Sequence, residues 1–271
     1  MFELSEYQKN IIEYVKNEKG NLLIEAKAGS GKTSTLLLIA DELIKQNKQS
    51  LFIAFSKNIV KELQKKINNS NCMVRTLHST GSSFIYSYLY KKYGKDKFYL
   101  DSDQYSSANK ILIQELFEKE CKQNVIEANS DLSADLMKDL IHDMLIELIK
   151  FVDYCRFYMI DFNDEEAIED FVHTVPVRLE YINNYKRHDL KLGKFISLVI
   201  NTIIDRFENP EYDEKLGKYI IKISFTDMVF LPVYLNMKLP YSLSSYLDYV
   251  EVDERTRYFN IRSSFYKEII A

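Results

Sequence analysis

Nine residues near the start of the chain combine backbone and side-chain groups suited to binding phosphates. They are Ala26, Lys27, Ala28, Gly29, Ser30, Gly31, Lys32, Thr33 and Ser34. The first eight match the phosphate-loop pattern G-x-x-x-x-G-K-[ST], except that an alanine holds the first glycine position. Gly29 and Gly31 permit a tight turn whose N–H groups face an anion at a helix N-terminus. Lys32 would then reach the β- and γ-phosphates of a nucleotide, and the Thr33 hydroxyl would hold Mg²⁺.

The sequence on both sides of this loop predicts the strand and the helix that such a site needs. Residues 21–25 are short, apolar and preceded by Gly20, which predicts a buried strand. Residues 34–43 predict the helix that follows. The alternative is a chance turn before a helix, and the complete strand–loop–helix context favours phosphate binding over it.

Three further residues extend the predicted nucleotide site. Asp253 and Glu254 end an apolar strand that begins at residue 249. Asp253 would hold Mg²⁺, and Glu254 would orient or deprotonate the attacking water. Adjacent acids are common on surfaces, so this pair gains meaning only together with Lys32 and Thr33. Gln8 offers the donor and the acceptor that read adenine, although an isolated glutamine is more simply a solvated surface residue.

Strands alternate with helices at both ends of the chain, whereas its middle is helical. Residues 50–55 and 72–76 predict strands, each followed by a helix, the second from about residue 82. This order is typical of a parallel α/β sheet, which binds ligands at the carboxyl ends of its strands. Helical patterns at residues 106–124, 133–158, 165–172 and 191–207 then predict a large insertion. Its tyrosines could stack on bases and its lysines could neutralise phosphates, although for most of the tyrosines we favour packing in a core. Ser224 or Thr226 caps a short helix on the return to the sheet.

The composition predicts a soluble globular chain. Hydrophobic residues make up 46 % and charged residues 28 %, and neither a signal peptide nor a membrane-spanning stretch is found. Three widely spaced cysteines predict reduced thiols in a cytoplasmic or nuclear-type compartment. Residues 1–100 carry 16 Lys and Arg against 9 Asp and Glu, whereas the remaining residues carry 20 against 31. The basic part suits nucleic acid, and a solvated lysine-rich surface explains it equally well.

Together these motifs resemble the N-terminal motor domain of superfamily 1A DNA helicases, the UvrD/Rep-like group with its F-box DNA helicase branch. Gln8 matches the family's adenine-reading glutamine, and residues 26–33 match its A-x-A-G-S-G-K-T form of the phosphate loop. Residues 224–228 resemble the segment before the acidic motif. Two motifs that touch single-stranded DNA in the family match at Phe55, Ser56, Lys57, Thr76 and His78.

The resemblance implies both a fold and an activity. The fold is a P-loop NTPase (RecA-like) α/β domain formed by residues 1–84 and 218–271, with a helical insertion of the 1B type at residues 85–217. The activity is ATP hydrolysis with Mg²⁺, coupled to translocation along single-stranded DNA and to unwinding. Lys32, Asp253 and Glu254 would carry the catalysis.

Two departures limit what the resemblance implies. The family continues Asp-Glu-Ala-Gln-Asp, whereas Glu254 is followed here by Arg-Thr-Arg, so the glutamine that couples nucleotide to DNA is missing. The sequence also ends 17 residues after Glu254, before the family's next strand and its second motor domain. We therefore expect an incomplete sheet, weak ATPase activity and no unwinding, unless a partner supplies the second motor domain.

Two explanations of the altered ending stay open, and one rival function has to be weighed. A frameshift explains the altered ending, because Arg-Thr-Arg-Tyr written as CGC ACA AGA TAT yields Ala-Gln-Asp when it is read one base later. The coding DNA decides between a frameshift and a genuine short paralogue that binds nucleotide, DNA or a full-length motor without turnover. A small-molecule kinase is disfavoured by residues 76–79 and by the long helical insertion, which that class does not need.

Overall fold

The chain divides into two compact units. A computed structural model describes residues 4–17, 22, 24–25, 30–54, 56–101, 108–178, 190–246 and 249–253, with the backbone alone at residues 108, 249 and 251–253. The first unit, which we call the sheet unit, comprises residues 1–84 and 238–271, and the second, the helical unit, comprises residues 85–237. Residues 218–237, which the sequence analysis grouped with the ATP-binding domain, lie in the helical unit.

The described elements are numbered in chain order. The helices are α1 (Glu6–Asn17), α2 (Lys32–Lys45), α3 (Lys57–Ile67), α4 (Leu77–Tyr93), α5 (Ala108–Glu120), α6 (Lys122–Ala128), α7 (Ala134–Phe157), α8 (Glu165–Phe171), α9 (Leu192–Glu208), α10 (Phe225–Tyr234) and α11 (Tyr241–Ser244), with a 3-10 turn at Val172–Thr174. The strands are β1 (Ser50–Ala54), β2 (Cys72–Thr76), β3 (Phe98–Leu100), β4 (Glu211–Asp213), β5 (Lys218–Ile221) and β6 (Tyr249–Asp253).

In the part of the chain that the structure describes, the sheet unit is built on a three-stranded parallel sheet with the order β2-β1-β6. Its central strand β1 is buried along its whole length, which explains the unbroken apolar run at residues 51–54. One core joins this sheet to α1, α2 and α3, and its buried members include Val15, Ile39, Leu43, Phe52, Val60, Leu63 and Val74. The predicted α/β fold with a parallel sheet is confirmed.

The predicted strand before the phosphate loop is wrong at the residues that the structure describes. Leu22, Ile24 and Glu25 belong to no strand, and the side chains of Leu22 and Ile24 are 42 % and 39 % exposed. An apolar run becomes a buried strand only where a neighbouring strand takes up its backbone hydrogen bonds. None of the described strands pairs with these three residues, so their apolar pattern is not enough to make them a strand.

The helical unit contains helices at all four predicted helical patterns, together with a sheet that the sequence did not reveal. The pattern at residues 106–124 forms two helices, α5 and α6, which are separated at Cys121. A small sheet with the order β3-β5-β4 accompanies them. Its strands have three or four residues each, too few for a clear alternating pattern. None of the helices in the described ranges has the length and apolar character needed to cross a membrane.

A buried polar network joins α7 to α10 inside the helical unit. The side chains of Arg156 and Asp227 are both fully buried and form an ion pair. Asn109 Nδ2 donates to Asp227 Oδ2 at 2.8 Å, and the Ser224 N–H donates to the same oxygen at 2.7 Å. Ser224 in turn accepts from the Asp227 N–H, so the two residues form a capping box at the start of α10. The predicted helix cap at Ser224 is therefore confirmed.

Candidate functional site

The phosphate-loop sequence leads directly into the N-terminus of α2. Gly31 has a φ of 85° and lies in the left-handed region, and the helix begins at the next residue, Lys32. Only glycine adopts this conformation without strain. The Thr35 N–H donates to the Gly31 carbonyl at 2.9 Å, which closes the first turn. Because the first N–H groups of a helix lack intrahelical acceptors and the helix dipole is positive there, this end of α2 suits an anion.

Gln8 lies beside this helix end. Its Nε2 donates to Thr35 Oγ1 at 3.3 Å, and Thr35 Oγ1 donates to the Gly31 carbonyl at 3.2 Å. The Gln8 Oε1 accepts from the Ser5 N–H at 3.1 Å, while Ser5 Oγ accepts from the Gln8 N–H at 3.3 Å. This reciprocal pair is a capping box at the start of α1. The structure therefore brings Gln8 next to the loop and fixes its amide at both ends.

The carboxyl ends of the three parallel strands place the other predicted motifs side by side. Ala54 of β1 lies opposite Thr76 of β2 on one side and opposite Asp253 of β6 on the other. Neighbouring strands are about 4.8 Å apart, so the residues after Ala54 and Thr76 share an edge with Asp253. The side chain of Asp253 lies outside the described residues, as do Ala26, Lys27, Ala28, Gly29, Phe55 and Glu254.

Ser56 and Lys57 begin helix α3 at this edge. Ser56 Oγ accepts from the Ile59 N–H at 3.3 Å and thereby caps the helix. Lys57 is the first residue of α3, and its side chain is exposed. The sequence analysis assigned both residues to DNA contact. In this structure Ser56 positions the helix, and Lys57 is the one of the two that presents a charge to solvent.

Thr76 and His78 occupy the corresponding turn after β2. The Thr76 N–H donates to Ser79 Oγ, and the Ser79 N–H donates to Thr76 Oγ1, both at 3.1 Å. This exchange starts α4 at Leu77 rather than near residue 82. His78 is half-buried, and burial together with the nearby Lys57 ammonium lowers the pKa of its imidazole. His78 and Lys57 therefore lie close enough to interact, and the imidazole is neutral near pH 7.

The family is decided by comparison with known proteins. The family model of the UvrD/REP helicase N-terminal domain matches residues 4–254. The chain belongs to the UvrD/REP helicase family. No curated protein matches the chain. UvrD/REP helicases are ATP-dependent DNA motors that bind ATP and single-stranded DNA and use a divalent metal.

The residues of this UvrD/REP helicase domain that could hold a divalent metal carry oxygen donors. Mg²⁺ prefers carboxylate, hydroxyl and phosphate oxygens, which Thr33 and Asp253 would supply. Thr33 is the second residue of α2, directly after Lys32. Within the described residues no three His, Cys, Asp or Glu side chains converge on a common point, so a preformed cage of protein ligands is not found there.

Two residues that position this site were given no role of their own in the sequence analysis. Thr35 links Gln8 to Gly31, and Ser79, which entered only as part of residues 76–79, fixes the turn after β2. The T-x-x-S spacing of Thr76 and Ser79 is a recognisable capping pattern, so the role of Ser79 could have been found. The contact of Thr35 with Gln8 has no local signal, because the two residues lie in different helices.

Proposed function

We propose that this chain binds ATP with Mg²⁺ at the N-terminus of α2 and couples its hydrolysis to single-stranded DNA bound along the carboxyl edge of the sheet. The observation that carries the proposal is the left-handed Gly31 immediately before Lys32 and Thr33 at the start of α2. A glycine turn into a helix is the arrangement that binds phosphates. Its position in a member of the UvrD/REP family, whose members bind ATP, supports ATP as the nucleotide.

Each predicted site residue has a role in this proposal. Lys32 binds the β- and γ-phosphates, Thr33 and Asp253 hold Mg²⁺, and Glu254 orients the attacking water. Mg²⁺, when bound, neutralises the charge that develops on the transferring phosphate. Gln8 reads adenine, and it does so from a position already fixed by Thr35. The bonds that hold its amide reduce the orientational freedom that nucleotide binding would otherwise have to freeze.

The five strand-end residues serve DNA binding in the proposal, three of them by contact and two by positioning. Lys57 supplies a positive charge for a phosphate, while the neutral His78 donates or accepts a hydrogen bond. Ser56 and Thr76 act through the helices that they cap, and Phe55 would stack on a base. We assign the sheet unit to the predicted domain 1A and the helical unit to 1B, with residues 218–237 moved to the helical unit. This assignment, the F-box branch and a partner that supplies a second motor domain stay predictions.

A second candidate function is binding of nucleotide and DNA without turnover. The observation that favours it is Arg-Thr-Arg at residues 255–257, where the family's motif continues Ala-Gln-Asp. Without that glutamine, nucleotide state and DNA would be poorly coupled. The chain would then act as a nucleotide-dependent DNA-binding module, or as a binding partner of a complete motor.

The two candidates are separated by comparing ATP hydrolysis with DNA binding in Lys32→Ala. We measure phosphate release with and without oligothymidine, and oligothymidine binding by fluorescence anisotropy. A motor releases phosphate faster with oligothymidine, and Lys32→Ala abolishes that release but still binds the DNA. Lys45→Ala is the matched control, since Lys45 is an exposed lysine in the last turn of the same helix.

The outcomes distinguish the candidates. Binding of ATP and oligothymidine without phosphate release by the native chain would support the binding module and exclude the motor. Phosphate release that survives in Lys32→Ala would exclude α2 as the catalytic site. No binding of ATP at all would exclude both.

A further inference from the structure

The sheet unit contains a polar groove along the side of β2 that does not face β1. It encloses about 610 Å³ and is lined by residues from the end of α3, the following loop, β2 and the segment around α11. Pockets of roughly 300–1,000 Å³ hold small ligands, so this volume suits one or two nucleotides. None of the described lining residues is acidic. The polar ones include Gln64, Asn69, Ser70, Arg75, Ser242 and Tyr246.

The backbone of β2 is closed to an added strand on this side. The Ser50 N–H donates to the Asn71 carbonyl at 2.8 Å, which means that the backbone groups of residues 72, 74 and 76 point away from β1 and towards the groove. Bonds within the unit already occupy several of these groups. They are the Cys72 N–H to the Asn69 carbonyl (3.1 Å), Gln64 Nε2 to the Val74 carbonyl (3.0 Å) and the Thr76 N–H to Ser79 Oγ (3.1 Å). A ligand of the groove is therefore recognised by side chains and not by strand addition.

Among the described residues that line the groove, Arg75 alone is charged. It is half-buried, and burial lowers the pKa of its guanidinium. The guanidinium donates to Ser83 Oγ, and no carboxylate in the described chain pairs with it. A guanidinium has five N–H donors, and a desolvated charge without a counter-charge is unfavourable. An anion in the groove would accept hydrogen bonds from the remaining N–H donors and would also neutralise the charge.

The surroundings favour a polyanion over an isolated anion. Residues 57–76 contain five Lys and Arg and one acidic residue, Glu62. Arg75 also directly precedes Thr76, at the strand end where the proposed function places DNA. A strand of nucleic acid held at that edge would therefore reach the groove with its next nucleotides.

We propose that this groove is a second contact for single-stranded DNA, in which Arg75 binds a backbone phosphate and Gln64, Asn69 and Tyr246 contact the attached nucleoside. Arginine matches a phosphate with two parallel hydrogen bonds, and a tyrosine ring stacks on any base. The inference rests on the proposed function, because it concerns the same DNA strand beyond the edge of the sheet.

The salt dependence of oligothymidine binding tests the phosphate contact. In Arg75→Gln we expect about tenfold weaker binding and a salt slope smaller by about 0.7, the value for one phosphate on a single strand. Arg75→Lys restores the slope but only part of the affinity, because lysine lacks the planar fork. Lys45→Gln, which removes one exposed charge from the same unit, keeps the native affinity and slope. ATP binding stays unchanged in all three variants.

Further variants separate this contact from the proposed function. Lys57→Gln tests DNA binding at the sheet edge, which the proposed function predicts. If Lys57→Gln binds oligothymidine more weakly while Arg75→Gln keeps the native salt slope, the groove contact is overturned and the proposed function stands. If Arg75→Gln has a smaller salt slope while Lys57→Gln binds as the native chain does, the DNA contact in the groove is supported and the DNA contact at the sheet edge is not. If Arg75→Gln does not fold, Tyr246→Leu tests stacking: weaker binding at an unchanged slope supports the proposal, and native binding overturns it.

Free phosphate compounds distinguish the source of the anion. We titrate the native chain and Arg75→Gln with inorganic phosphate and with thymidine monophosphate. Arg75-dependent binding of either compound, without any Arg75 dependence of oligothymidine binding, would assign the groove to a small anion and overturn the DNA contact.

Discussion

At the scale of single residues, His78 shows how burial decides what a predicted DNA contact can do. The sequence analysis placed His78 at the DNA-binding edge. The structure adds that burial, and to a lesser extent the Lys57 ammonium, lowers the pKa of its imidazole below 6.5. The side chain therefore offers a neutral donor and acceptor near pH 7, whereas Lys57, after the neighbouring strand β1, supplies a positive charge at this edge of the sheet.

We predict that the His78 imidazole titrates below pH 6.5 in the native chain, as followed by NMR. Lys57→Gln raises this pKa but leaves it below 6.5, because burial is the larger cause. A native His78 pKa at or above 6.5 would contradict the burial of this side chain. Lys45→Gln, in the same unit, serves as the control for a change of net charge and leaves the His78 pKa unchanged.

The same shift predicts the direction of a stability change with pH. Because the pKa is lower in the folded state, the unfolded chain binds the proton first as the pH falls. The contribution of His78 to stability is therefore present above pH 6.5, the pKa of histidine in the unfolded chain. It is lost as the pH falls from 6.5 through the lower pKa that His78 has in the folded chain. His78→Gln removes this component of the pH dependence.

At the scale of secondary structure, the turns after β1 and β2 are held by side chains that the resemblance assigns to DNA. Ser56 caps α3, and Thr76 exchanges two hydrogen bonds with Ser79 at the start of α4. A cap fixes the direction in which the following helix leaves the sheet. These two residues therefore position the edge on which Lys57 and His78 lie.

We predict that Ser56→Ala lowers the free energy of unfolding of the sheet unit by about 1 kcal/mol, the usual worth of a helix cap. Ser56→Asn restores most of it, since asparagine caps as well as serine. Chemical denaturation measures both effects. If Ser56 acts only as a cap, the folded Ser56→Ala chain binds oligothymidine as the native chain does. Weaker binding by both variants would instead indicate a direct contact of the hydroxyl with DNA.

At the scale of the whole molecule, each of the two units has its own stabilising centre. The sheet unit packs α1, α2 and α3 on its parallel strands. The helical unit contains the buried ion pair of Arg156 and Asp227, whose side chains are both 0 % exposed. Breaking a buried pair leaves one uncompensated charge, which costs much more than the loss of a surface pair.

We predict that Asp227→Asn destabilises the helical unit by about 3 kcal/mol, the lower end of the cost of breaking a buried pair, because Arg156 then keeps only its ion pair with the half-exposed Asp153. Hydrogen exchange followed by mass spectrometry then shows loss of protection in α7 and α10, while α2, β1 and β2 keep theirs. Glu62→Gln is the matched control, because its pair with Lys66 is about half exposed and is worth about 0–1 kcal/mol. Equal loss of protection in both units would contradict separate centres.

The sequence by itself determined the local parts of this protein. The phosphate-loop pattern predicted the start of a helix, and α2 begins at Lys32 within it. Apolar runs and caps located β1, β2, β6 and α7 to within about two residues, the usual uncertainty of such boundaries. These features depend on neighbours along the chain, so spacing and residue type suffice to find them.

Only the tertiary structure decided which of these parts meet. Residues 22, 24 and 25 carry a strand-like pattern, yet none of the described strands pairs with them. Asp253 lies beside Ala54 because β6 pairs with β1. Arg75 lines a groove because a segment as distant in the sequence as α11 packs near β2. Strand pairing and burial depend on free energies summed over residues far apart in the chain, and a local pattern contains no record of its distant partners.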